Sequence, residues 1–442
     1  MKEQLRLAGA RIFRNFMMLV GGRFFGGLLA LGATVISART LGVESFGVLV
    51  LIHAYVSLVR GIVNLKPFEA IIRFGAPLLD NGDFQKLFAI LRATLAIDVI
   101  AAIIGTIGAF VGIEIMTLIG GWDTATAEIA RWYVLLLITC GYGTASGVLR
   151  ICDRFDAISL ALVLGNGFRF AGVAVLSTLP SPSLTAFASV WATSFVVRFT
   201  CIHAFGWRVA MTRLPMREAA GKVSFREVAR THPGIWQFIH VVYWNSTLDL
   251  IPKSVSTLGA GALLGPEHAG LFRIAREVAN VVSKPALLIR QAVFPDFTRL
   301  HEKSTKSLGP LVVTISFMLA VPAFALTVVA AFFGEPALIW GLGNDYAGAA
   351  QVLVWLTFAA ALEVTAAPLR PAAYALSMAS ATLFLQVAAV IIFIYLLLTL
   401  TPNEGLIGIG IASVGLWSLM LLGMMGIVTR ALKNRDEQRI PG

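Results

Sequence analysis

Charge is what this sequence has least of. Only 13% of its 442 residues are Asp, Glu, Lys or Arg, where a soluble globular protein carries roughly 25%. That content cannot cover a water-soluble body of this size. Cysteine is scarce too. Cys140, Cys152 and Cys201 are odd in number and scattered, with no CxxC, so neither a disulfide framework nor a metal site is indicated. The motifs of soluble enzymes are missing: there is no GxxxxGK(S/T) to cradle a nucleotide phosphate, no HExxH for zinc and no GxSxG. No catalytic residue and no cofactor is therefore expected.

What the chain has instead is apolar surface. Hydrophobic residues make up 57% of it, with a mean hydropathy of +0.82. A dozen membrane helices of about 20 residues each would use some 240 apolar residues, close to this inventory. The composition excludes a soluble enzyme and a disordered chain, and the apolar runs are too continuous for β-barrel strands. The net charge of +11 calls for anionic membrane lipid beside basic loops rather than for nucleic acid.

Charge-free runs mark most of the spans: Trp132–Leu149, Phe170–Val197, Ser307–Gly334, Tyr346–Leu362, Pro371–Asn403 and Gly405–Thr429. Pro180-Ser181-Pro182 divides the second run into a helix end and a helix start. With the charge-broken segments added, helices are expected near 16–38, 45–64, 87–112, 130–150, 157–178, 183–206, 236–257, 268–289, 309–333, 347–368, 374–399 and 405–429. If the N-terminus is inside, the outer loops hold only Arg39 and Arg131. This strong bias places both termini in the cytoplasm.

The chain also repeats itself. Leu41-Gly42-Val43-Glu44-Ser45-Phe46-Gly47 recurs 223 residues later as Leu264-Gly265-Pro266-Glu267-His268-Ala269-Gly270. Each copy follows the first helix of a six-helix half, and Trp132 and Asp123 match Trp355 and Asp345 at a similar offset. An even number of helices per half makes a parallel repeat. The expected architecture is all-α and polytopic, with about 12 membrane helices in two parallel six-helix bundles around a central cavity. The first bundle spans 1–207 and the second 235–442. Between them, 208–234 is a basic cytoplasmic linker in which Ser224-x-x-Glu227 can cap a short surface helix.

Charge inside particular helices is the functional signal. His53, Ser57, Arg60 and Asn64 share one face of the second helix, and Asn245, Asp249, Lys253 and Ser256 share one face of the seventh. The eighth carries Arg273, Glu277, Asn280 and Lys284 in the same pattern, with Arg276 alongside. The first has Arg23 on a face continued by Gly27, Ala30, Thr34 and Ser37. An arginine at the bilayer centre costs roughly 2.5–3.5 kcal/mol, so these groups must face one another or water. Asp249–Lys253 and Arg273–Glu277 can neutralise each other at i, i+4, whereas Arg23, Arg60 and Arg276 have no local acid. Asp98, Arg169, Arg198 and Glu363 stand alone and read as packing or interfacial residues. The balance of the cavity is positive, and its natural guest is an anion. The binding set expected is Arg23, Arg60, Asn64, Lys253, Arg273, Arg276, Asn280 and Lys284, with Asp249 and Glu277 as coupling or gating groups.

This pattern resembles the multidrug/oligosaccharidyl-lipid/polysaccharide exporter (MOP) superfamily. More specifically, Ala38-Arg39-Thr40-Leu41-Gly42-Val43-Glu44-Ser45-Phe46-Gly47 and the later Arg73-Phe74 … Asn81-Gly82-Asp83-Phe84 segment look like those of bacterial polysaccharide (O-antigen) flippases. The resemblance implies a transporter of the inner membrane rather than an enzyme. It would translocate a polyprenyl-pyrophosphate-linked oligosaccharide by alternating access, for O-antigen, capsule or exopolysaccharide. A polysaccharide polymerase and chain-length machinery would be its partners. The lipid II flippase branch has two further C-terminal helices, so twelve helices point to the O-antigen and exopolysaccharide branch. The alternatives are a cation-coupled multidrug exporter of the same superfamily, which would favour an acidic cavity, and a membrane-embedded glycan polymerase or ligase, which resembles its kind in needing a large outer loop.

Overall fold

The computed structural model describes residues 2–119, 121–215, 217, 220–283, 305–376 and 378–438, and every regular element among them is helical. The chain is an all-α, multi-pass membrane protein. Its first element, α1 (Lys2–Val63), holds two of the expected helices on either side of a break at Gly42, where φ is +74°. Short helices α2 (Pro67–Ala70) and α3 (Ala76–Asp80) follow, joined by a π-turn at Ile71–Gly75. The long α4 (Phe84–Ile119) comes next. The fourth span is not one helix. It runs as α5 (Thr124–Tyr133), a 3-10 segment Val134–Cys140 and then α6 (Gly143–Ile151).

Helices α7 (Phe155–Leu176) and α8 (Leu184–Arg213) are separated at Pro180-Ser181-Pro182 as expected, and Ser183 caps α8 by accepting from the Ala186 N–H at 3.2 Å. In the basic linker, Ser224 caps the expected short helix α9 (Phe225–Thr231) through the Glu227 N–H. The second half comprises α10 (Ile235–Leu264), α11 (266–283), α12 (Thr305–Leu342), α13 (Ala349–Ala366), α14 (Leu369–Ala375), α15 (Ala379–Glu404) and α16 (Leu406–Gln438). Gly265 ends α10 at φ +97°, repeating the part Gly42 plays in α1 at the equivalent motif position.

Nine stretches among the described residues are long and apolar enough to cross a membrane. The first, Gly21–Asp80, contains most of the expected helix 16–38 and all of 45–64. Helices α10 and α11 fall outside that set because their polar stripes lower their hydropathy. Wide apolar faces stay exposed: Ile104, Ile107 and Val111 on α4, Phe317, Met318 and Phe332 on α12, and Phe384, Ile391 and Tyr395 on α15. A soluble monomer rarely exposes contiguous patches of this kind, and lipid is their natural solvent.

The chain forms two compact units. One comprises residues 1–41 and 52–250, the other 42–51 and 251–442. The division falls within α10, beyond the linker at 208–234, and ten residues of α1 are grouped with the second unit. In the first unit Gly22 and Gly26 lie under Ser159 and Leu162 of α7, so that small-residue spacing serves close helix packing. Leu87, Ile90, Leu149 and Ala161 are completely buried in this unit's core. In the second, α12, α13 and α16 pack together, with Ala361 and Ala367 at the centre of a small buried cluster.

Candidate functional site

The polar face of α1 meets the place where the fourth span stops being a helix. The 3-10 segment gives way at Gly141 and Tyr142 before α6 begins. Arg60 donates from Nη2 to the Thr139 carbonyl at 3.3 Å. Its guanidinium carbon lies 5.4 Å from the centroid of the Tyr142 ring and 5.1 Å from that of Phe195. Arg198, one turn beyond Phe195 on α8, lies 5.6 Å from the centroid of the same Tyr142 ring. Earlier on the α1 stripe, His53 Nδ1 is 3.0 Å from the Tyr133 hydroxyl, and the His53 ring packs against Trp191 and Phe195.

Two further polar contacts hold the first unit together. Trp191 donates from Nε1 to Ser37 at 3.2 Å, and the Arg169 guanidinium stacks on Trp191 while donating to Thr34 at 3.0 Å. Arg169 is thus a packing residue, as the sequence suggests. Asp98 of α4 is 5% exposed, and its Oδ2 accepts from the Thr144 N–H at 2.7 Å and the Thr144 hydroxyl at 2.8 Å. The carboxylate caps the half-helix that the break creates, where unsatisfied N–H groups and the helix dipole both favour a negative charge.

In the second unit the two arginines of α11 have acidic neighbours. Arg273 pairs with Glu277 one turn on. Arg276 donates to the Lys253 carbonyl and, at 3.4 Å, towards the Thr257 hydroxyl, with Glu277 and Glu363 as its negative neighbours. The remaining expected residues are dispersed. Lys253 and Arg23 are exposed and Asn280 is half-buried. Asn64 accepts from the Lys66 N–H at 2.9 Å, closing the turn after α1. Asp249 belongs to the first unit, and Lys253, on the next turn of α10, to the second. Lys284 lies outside the described residues.

Arg60 is therefore brought together not with another member of the expected set but with Tyr142, Phe195 and Arg198. Asp98 joins α4 to the same break. Sequence reasoning did not connect these residues, because Arg60, Tyr142 and the Phe195–Arg198 pair come from separate segments of the chain. The available signal was the Gly141-Tyr142-Gly143 triplet within an otherwise apolar run. Among the described residues no group of His, Cys, Asp and Glu could hold a metal ion.

Comparison with known proteins places this geometry in a fold. No family model matches the chain. It is 25% identical over 297 residues to the inner membrane protein YghQ of Escherichia coli (strain K12), which covers 67% of this chain and 82% of that protein. An inward-facing multidrug resistance MATE family transporter of the MOP superfamily superposes with a TM-score of 0.74 at 17% identity, covering 92% of this chain and 96% of the other. The lipid II flippase MurJ in an inward closed conformation gives 0.72 at 12% identity, covering 96% and 94%. The fold is that of the MOP-superfamily transporters. A MOP transporter from Pyrococcus furiosus, described as having a binding pocket of reversed polarity, also superposes, with a TM-score of 0.63 at 15% identity over 98% of this chain and 96% of that one.

Proposed function

We propose that this protein is a flippase that moves a polyprenyl-pyrophosphate-linked oligosaccharide across the bacterial inner membrane by alternating access. Its product would serve O-antigen, capsule or exopolysaccharide synthesis, and both termini would be cytoplasmic. The carrying observation is the sign of the intramembrane charge. Arg60 and Arg198 sit in the first unit with no carboxylate paired to either among the described residues. Cations without an acidic partner in a bilayer are expensive and by default point to a functional site, and an anion is the cargo that their charge suits. The residues proposed to meet cargo are Arg23, Arg60, Asn64, Lys253, Arg273, Arg276, Asn280 and Lys284. Asp249 and Glu277 are proposed to couple or gate.

Purified protein in liposomes should move a fluorescent polyprenyl-pyrophosphate oligosaccharide between leaflets, and Arg60→Ala should stop it. Wild-type translocation by Arg60→Ala would remove the anion argument. A second reading, cation-coupled drug export, is favoured by one observation, the deeply buried carboxylate of Asp98. Ethidium efflux that depends on Asp98, without lipid translocation, would select it.

A further inference from the structure

We propose that the first turn of α10 is the centre of a docking surface for anionic phospholipid. It is built in the first unit by Arg73 and by the linker residues Lys222, Val223, Phe225, Arg226 and Arg230. The inference concerns the leaflet at that end of the unit, and it holds whatever the cargo is.

The linker is drawn along the flank of a membrane span. Arg92, on the third turn of α4, donates from Nη1 to the Ala220 carbonyl at 3.3 Å. Val228 of α9 is buried in the same core cluster as Leu87 and Leu91 of α4. Two aromatic contacts then tie both flanks to the first turn of α10. The Phe225 ring meets the Trp236 ring with centroids 5.7 Å apart. On the other side, the guanidinium carbon of Arg73 lies 4.5 Å from the centroid of the Phe238 ring. Arg73 is carried there by the π-turn at Ile71–Gly75. Stacking of this kind holds a cation in place without using its N–H donors.

What this surface leaves uncovered is both apolar and basic. Val223 and Phe225 are 49% and 41% exposed, and Arg73, Lys222, Arg226 and Arg230 are exposed around them. None of these four cations pairs with a carboxylate among the described residues. Asp83, the acid of the neighbouring turn, is taken by Lys86. From Arg208 to Arg230 the chain carries six Lys or Arg against two Glu. Apolar side chains ringed by cations suit a leaflet, because the rings enter the headgroup boundary while Lys and Arg reach its phosphates. Exposed Trp207 and Trp244, on the two helices that the linker joins, are residues of the kind that marks a membrane–water interface. A soluble acidic partner would not call for exposed Val223 and Phe225, and a neutral leaflet would not call for the cations.

The test uses the full chain in nanodiscs of phosphatidylcholine, with and without added phosphatidylglycerol. A spin label is attached at Val223→Cys. Cys140 and Cys152 are buried, and Cys201→Ser removes the remaining thiol. With phosphatidylglycerol present, the label should collide with dissolved oxygen in preference to a nickel chelate, which marks insertion. In phosphatidylcholine alone that preference should fall. The Lys222→Ala/Arg226→Ala/Arg230→Ala variant should lose the response to phosphatidylglycerol while keeping the wild-type Tm, and Arg73→Ala should lose part of it. Arg131→Ala, whose guanidinium pairs with Glu114, should respond as wild type. A label that meets mainly the nickel chelate in both discs overturns the surface and leaves a soluble partner as its occupant. Equal insertion in both discs, or a full response in the triple variant, overturns the assignment to anionic lipid. None of these outcomes touches the flippase reading, which the translocation assay decides on its own.

Discussion

Gly47 and Gly270 each press against the backbone of the other's motif. A side chain added at Gly47 would meet the Pro266 carbonyl oxygen, and one added at Gly270 would meet the Val43 carbonyl oxygen at 2.8 Å. Gly47 and Gly270 are equivalent in the repeat, and so are Val43 and Pro266. The repeated motif is thus a reciprocal helix crossing, and its final glycine is what permits the close approach.

That contact sets the first prediction. A backbone carbonyl cannot rotate aside as a flexible side chain can, so Gly47→Ala and Gly270→Ala should each destabilise the protein by about 1–3 kcal/mol. Thermal denaturation in detergent should show a lowered Tm for both. Gly426→Ala, at a helical position with open space around it, should leave Tm unchanged. A wild-type Tm for both motif variants would refute the crossing.

The cap on α6 gives a second. Asp98→Ala leaves the buried Thr144 N–H without its acceptor, which costs roughly 1–3 kcal/mol. Asp98→Asn keeps one acceptor oxygen and should lose less. Hydrogen exchange across residues 143–151 should accelerate in the order wild type, Asn, Ala.

The third concerns acidity at the start of α5. Asp123 accepts from the Thr126 N–H at 2.9 Å, and its hydrogen bonding to Thr126 holds its carboxyl below the usual carboxylate range. A depressed folded-state pKa means that the cap's contribution is present above the unfolded value of about 3.9 and lost as pH falls through the folded one. Asp123→Ala should speed exchange over 124–133 at pH 7 by several-fold, in line with about 1 kcal/mol for a lost cap. At a pH below the folded pKa, wild type and variant should converge.

The Arg273–Glu277 pair supports a fourth. Its side chains are 22% and 24% exposed. Glu277→Ala should therefore cost less than the roughly 3–5 kcal/mol of a fully buried pair, but clearly more than a surface change. The Arg273→Ala/Glu277→Ala double variant should recover much of that loss, because no unpaired charge remains. Additive losses in a double-mutant cycle would show that the two do not act as a pair.

The helical architecture was legible because its signals are local: apolar runs, the proline break at 180–182, the Ser224 cap and a seven-residue repeat. The stripe from His53 to Arg60 was equally readable, since residues four apart share a face in any helix. What Arg60 meets was not readable. Tyr142, Phe195 and Arg198 lie 82 to 138 residues away, and a single sequence records no such pairing. The break in the fourth span was hidden for another reason. Val134–Cys140 is uniformly apolar apart from Thr139 and contains no proline, so hydropathy presents one continuous helix. Asp98 and Arg198 were both expected to be packing or interfacial residues. The first is a helix cap, and the second sits beside a second cation, which packing alone does not require.

The grouping of residues 42–51 with the second unit bears on how such a protein can be divided. A cut in the 208–234 linker would leave the N-terminal fragment holding ten residues that complete the other unit. The C-terminal fragment would be made without them. Two separately synthesised halves should then be inert and aggregation-prone alone but should complement each other when made together. For the same reason, a half exchanged with that of a distant homologue would have to bring a matching Gly47 crossing with it.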